Sequence, residues 1–232
     1  MDINLPVGKI EGNQFIGVRY PFKVSAQPGW KVTTEIPTFM EELGYEKAGL
    51  EESEVFVYNP ATQSNLQIDF TPAGRYAKFS QESIEWLTTV ATGSLREELE
   101  EDYGKDVKAE ISPTEPISLK GVQYAAKKYA NYTLKGVKRE QGWIYGFSEP
   151  YQIFILYMIL EMEGEPVHTI EGKAINEGVW GDRIMVVSKG SSISKFGVKN
   201  GVYNQNSVVL DNDRQDIKKI LDSFVVISKK RD

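Results

Sequence analysis

One run of residues limits what this chain can become. From Tyr151 to Leu160 nearly every side chain is apolar, the longest such stretch in the sequence. In a strand, alternate side chains point to opposite faces. Tyr151, Ile153, Ile155, Tyr157 and Ile159 form one set, and Phe154, Leu156, Met158 and Leu160 dominate the other. Both sets are apolar, so both faces must be covered. The run is shorter than the roughly 20 residues a membrane span needs. A buried helix is the competing reading. β-Branched and aromatic enrichment, with Pro150 before and Gly164-Glu165-Pro166 after, favours the central strand of an antiparallel sheet.

Two strands lead into it. Val122, Tyr124, Ala126, Ala130, Tyr132 and Leu134 share one face, interrupted by Lys128, while Gln123, Lys127, Asn131, Thr133 and Lys135 share the other. That is a half-buried strand with one wet face. After a turn at Lys135-Gly136, Arg139, Gln141, Trp143, Tyr145 and Phe147 alternate as a further strand. Three antiparallel strands with an apolar face make a stable meander.

The rest of the chain supplies layers for this sheet. Residues 1–13 read as an N-terminal arm and 14–232 as one α+β domain. Gln14 to Val24 is an expected strand, followed by a Pro28-Gly29 turn and the anchor Trp30. Thr38 and Glu41 form a capping box for a short helix. Glu54–Tyr58 and Asn65–Thr71 make a hairpin, with Leu66, Ile68 and Phe70 on one face. Ser80 opens the main helix, whose Ile84, Leu87, Ala91, Leu95, Leu99 and Tyr103 form an apolar stripe opposite a run of glutamates. Gly93 marks a kink within it. Residues 163–182 read as a glycine-rich excursion, Arg183–Lys189 as a returning strand, and 190–206 as a loop or small hairpin. Asp211-Asn212-Asp213 cap a last helix with Ile217, Ile220, Leu221 and Phe224 buried, and Val225-Val226-Ile227 close the sheet. The expectation is an antiparallel sheet of about seven or more strands with helices packed on it.

A strand ending in Pro28-Gly29-Trp30, an early sheet, one long helix, a meander and the ending Ile217 to Val226 together resemble the PsbP-like fold. That family includes the extrinsic PsbP subunit of photosystem II, a Ran-binding import factor and uncharacterised bacterial envelope proteins and lipoproteins. The resemblance runs from Phe22 to Ile227 in element order, and its Trp30 and Phe224 are core anchors rather than site residues. It implies an extracytoplasmic binding or assembly module with a protein partner, and a lipid anchor in the native precursor. It carries no active site, because the family shares a fold across unrelated roles.

Charge and composition narrow the chemistry. The 232 residues carry a net charge of -6, which disfavours phosphate backbones, so no nucleic-acid partner is expected. No transmembrane segment is legible. There is no cysteine, which removes disulfides, thiol catalysis and Cys-ligated zinc. His168 is the only histidine, too few for a triad or a zinc cluster. Ser192-Ile193-Ser194-Lys195 matches S-x-x-K without its companion motifs. Asp211 to Asp216 begins like a calcium loop but lacks the glycine at position six and the glutamate at position twelve, and capping accounts for its aspartates. No catalytic, cofactor-binding or metal-ligating residue is therefore assigned, and no cofactor is expected. The meander's aromatics are the remaining candidates. Tyr129, Trp143 and Tyr145 suit either a ligand cleft or a protein interface, because their bodies are apolar and their tips polar. Ordinary sheet core is the competing account. Two functions follow: a non-catalytic binding or assembly module, or a small-ligand carrier or enzyme with a cleft beside the meander.

Overall fold

The computed structural model describes residues 5–42, 50–51, 53–72, 79–105, 107–134, 137–148, 152–161, 185–186, 194–195 and 205–227. The architecture is α+β, and every strand-to-strand ladder is antiparallel. The strands are β1 (Gly8–Glu11), β2 (Gln14–Gly17), β3 (Phe22–Ser25), β4 (Lys31–Thr33), β5 (Val55–Tyr58), β6 (Asn65–Pro72) and β7 (Lys108–Ile111). They continue as β8 (Glu115–Pro116), β9 (Tyr124–Leu134), β10 (Val137–Phe147), β11 (Gln152–Glu161), β12 (Met185–Val186), β13 (Ser194–Lys195) and β14 (Val225–Val226). The helices are α1 (Phe39–Glu42), α2 (Gln81–Ala91), α3 (Leu95–Tyr103) and α4 (Gln205–Ser223).

The main sheet has eight strands in the order β4-β5-β6-β11-β10-β9-β7, with β8 also on β9. The apolar run is its middle strand, paired on one side with β10 and on the other with β6. Its register sets Leu156 opposite Ile144 and Ile68, both of which are fully buried. A second sheet, β1-β2-β3-β14, joins the first and last strands. Residues 8–11, within the expected arm, are its β1. The single strand expected over Gln14–Val24 is two, because the chain reverses through 18–21 and β2 pairs with β3.

Of the three core clusters among the described residues, the two largest lie on opposite faces of the main sheet. On one, Phe15, Phe22 and Val24 of the small sheet and Ile217, Ile220 and Phe224 of the C-terminal segment cover Val55, Val57, Leu66, Ile68 and Ile144. On the other, Ile84, Leu95 and Leu99 cover Ala126, Ala130, Tyr132, Trp143, Tyr145 and Phe147. The expected helix from Ser80 is two helices, broken over 92–94 at the flagged glycine. Its start is as expected. The Ser80 hydroxyl accepts from the Ser83 amide at 3.2 Å, and the Ser83 hydroxyl accepts from the Ser80 amide at 2.7 Å.

The last helix differs from expectation in a way that matters for the site. It begins at Gln205, so Asp211-Asn212-Asp213 lie inside it rather than capping it. Asp213 is buried instead, accepting from Ser64 Oγ at 2.5 Å and Asn59 Nδ2 at 3.2 Å. Three residues on, Asp216 Oδ2 accepts from Trp30 Nε1 at 3.2 Å. One edge of α4 is thereby tied to the β5–β6 turn and to the anchor tryptophan. The 163–182 excursion, His168 and Ser192 lie outside the described residues, while β12 and β13 pair as a small hairpin.

Candidate functional site

The polar ties hold α4 against the sheet near β5 and β6. Toward β9 the helix stands away, and a cleft of about 480 Å³ opens beneath it. That volume falls within the range of small-molecule sites, roughly 300–1,000 Å³. Its floor is the face of β9 and β10 that carries Lys127, Tyr129 and Glu140. Its walls are Ile217 and Leu221 of α4 and Ile117 and Leu119 of the segment after β8.

Strand alternation explains why these side chains meet. Positions 124, 126, 130 and 132 face the α2–α3 side, so 127 and 129 must face α4. The face expected to be wet is so at Gln123, Asn131 and Thr133, which are exposed, but roofed between them: Ala125 is buried, and Lys127 and Tyr129 are half-buried. Gly142 lies directly opposite Tyr129 on β10, so no side chain from that strand competes with the phenol for space.

The electrostatics are specific. Arg214 donates from Nε to Glu140 Oε2 at 2.6 Å and contacts the same oxygen through Nη2, bridging helix and sheet at one end of the cleft. Lys127 Nζ lies 5.4 Å from the centre of the Tyr129 ring, within cation–π range. It lies 3.7 Å from Glu115 Oε2, a carboxylate whose side chain is 56% exposed. Burial above all, with Glu140 and Glu115 adding to it, pushes the Tyr129 hydroxyl up to about 12. The phenol therefore stays protonated and able to donate. No hydrogen-bond partner for that hydroxyl is present among the described residues.

The three candidate aromatics do not converge. Tyr129 lines the cleft, whereas Trp143 and Tyr145 lie on the opposite face of the sheet, buried under α2 and α3. Sequence reasoning missed Arg214, Glu140, Lys127 and the apolar walls. Lys127 and Glu140 had a signal in strand alternation. Arg214 had none, because its partner is 74 residues away in sequence. Among the described residues, no group of three or more His, Asp or Glu side chains could hold a metal ion, and no helix is long and apolar enough to cross a membrane.

No family model matches the chain, and no curated protein does. Among solved structures, the solution structure of cyanobacterial PsbP (CyanoP) from Synechocystis sp. PCC 6803 is similar to it. The TM-score is 0.40 at 8% sequence identity, over 96% of this chain and 99% of that one.

Proposed function

We propose that this chain is a non-catalytic binding module whose ligand site is the cleft between α4 and the β9–β10 hairpin. One observation carries the reading: a half-buried tyrosine, its hydroxyl without a hydrogen-bond partner among the described residues, lines a cavity with apolar walls. Such a combination of apolar enclosure and few oriented polar groups is what small-molecule sites share. The test is a fragment screen followed by backbone amide shifts. Ligands should perturb Lys127, Tyr129 and Leu119 together, and Ser118→Trp, placed at the cleft lining, should abolish the response. Binding that survives the plug, or a screen that never shifts those amides, would overturn the proposal. Esterase, peptidase and lactamase screens should be blank, and an activity lost in Ser192→Ala would contradict the non-catalytic part. A role outside the cytoplasm rests on the family resemblance of the sequence and is tested by fractionating cells that express the native gene.

A second reading has one observation in its favour. Trp86 and Val90, one turn apart on α2, are 67% and 54% exposed. Tryptophan is enriched among interface hot spots. From residue 81 to 103 the chain holds seven acidic residues and one arginine, a net of -6. An exposed tryptophan in an acidic helical segment suits a protein partner with an apolar pocket and a basic rim. A lysine- and leucine-rich helical peptide should bind it, and Trp86→Ala should weaken that binding at least fivefold. Equal binding by the variant would remove this reading.

A further inference from the structure

The cleft's charge balance points to the kind of ligand it would take. Three cations line it, Lys127, Arg214 and Lys218, against two carboxylates, Glu140 and Asp222. Arg214 and Glu140 occupy each other. Lys127, Lys218 and Asp222 remain, a net of +1 in a chain whose net charge is -6. Lys218 and Asp222 sit one turn apart on α4, both exposed at the mouth. Lys127 is the cation of the floor. Its ion-pair partner among the described residues is Glu115, at 3.7 Å and more than half exposed. Pairs of that kind contribute little, on the order of 0–1 kcal/mol. A half-buried ammonium is thus held by a weak, displaceable counter-ion, two residues along the same strand face from a hydroxyl able to donate.

We propose that the cleft takes an amphipathic organic acid, its carboxylate on Lys127 Nζ and the Tyr129 hydroxyl, its apolar body between Leu119, Ile217 and Leu221. This rests on reading the cleft as a ligand site. The carboxylate exchanges places with that of Glu115, so the lysine keeps a counter-ion throughout. No charge is left buried and alone, the condition under which an ion pair becomes costly. The apolar walls supply the attraction common to acids and their neutral analogues, and the lysine supplies the discrimination.

The experiment compares 2-naphthoate with 2-naphthamide, which differ in charge but scarcely in shape, by titration calorimetry and amide shifts. The acid should bind at least tenfold more tightly. Lys127→Gln should reduce that ratio to about one by weakening the acid alone. Glu115→Gln should tighten the acid several-fold, because it removes the competitor, and this gain cannot come from a damaged fold. Tyr129→Phe should weaken both probes, and the acid more. Equal binding of acid and amide by the wild type, or an acid affinity unchanged in Lys127→Gln, would overturn the assignment of charge while leaving the cleft as a site. If neither probe shifts Lys127, Tyr129 or Leu119, both the assignment and the reading beneath it fail.

Discussion

Two buried side chains of opposite character show what single residues do here. Phe224 is fully buried, and its ring centre lies 5.7 Å from that of Phe22. Truncating it removes transfer energy and leaves a cavity, so Phe224→Ala should cost about 3–5 kcal/mol in a denaturant melt. Lys218 and Lys219, exposed on the helix that precedes Phe224, should together change stability by less than about 1 kcal/mol when replaced by alanine. Glu54 is the other kind. Its side chain is 3% exposed, its Oε1 lies 3.0 Å from Arg19 Nε, and its Oε2 has no partner among the described residues. Burial outweighs the attraction of Arg19, with Asp69 adding to the rise, and carries its pKa to about 7. A carboxyl whose folded-state value lies above its ordinary one favours the fold most at low pH. Its contribution fades as pH climbs from about 4.5 through 7. Stability should therefore fall across that window, and Glu54→Gln should flatten the fall. Parallel pH profiles of wild type and variant would refute this.

At the scale of elements, the meander and the β5–β6 hairpin were legible because their determinants are local. Alternation sets strand faces, and turn residues set the reversals. The Ser80 cap was legible for the same reason. What could not be read depends on partners remote in sequence. The helix runs back to Gln205 past aspartates that resemble a start signal, because Asp213 finds Ser64 and Asn59 across the fold. Tyr129 was picked out by its type, but its separation from Trp143 and Tyr145 follows from strand register, since Trp143 lies opposite Lys128 rather than Tyr129. The short closing strand offers a test at this scale. β14 pairs with β3, and the Val226 amide also donates to Lys120 O at 3.0 Å. The next residue, Gly121, has φ +75°, and a Cβ there would fall 2.0 Å from Val226 O. Gly121→Ala should therefore loosen β14, raising hydrogen exchange at Val226 and Ile227 while the β9–β10 amides stay protected. Unchanged exchange at those two residues would show that the close approach is relieved elsewhere.

In the whole molecule, one face of the main sheet is covered by a helix pair adjacent in sequence to β7–β10, the other by the two ends of the described chain together. Local pairings such as β9–β10 close at little entropic cost, whereas β3–β14 must wait for distant segments to meet. Pulse-labelled exchange during refolding should find β9 and β10 protected before β3, and the reverse order would contradict this. The Ser25 amide donates to Ser223 Oγ at 2.9 Å across 198 residues of sequence. At a synthesis rate of about 5–20 residues per second, that separation is about 10–40 s of translation. For that interval the nascent chain carries Phe15, Phe22 and Val24 outside the ribosome with nothing from the C-terminal segment to cover them. The hairpin of β2 and β3 is then a sticky surface on an unfinished protein until Phe224 arrives.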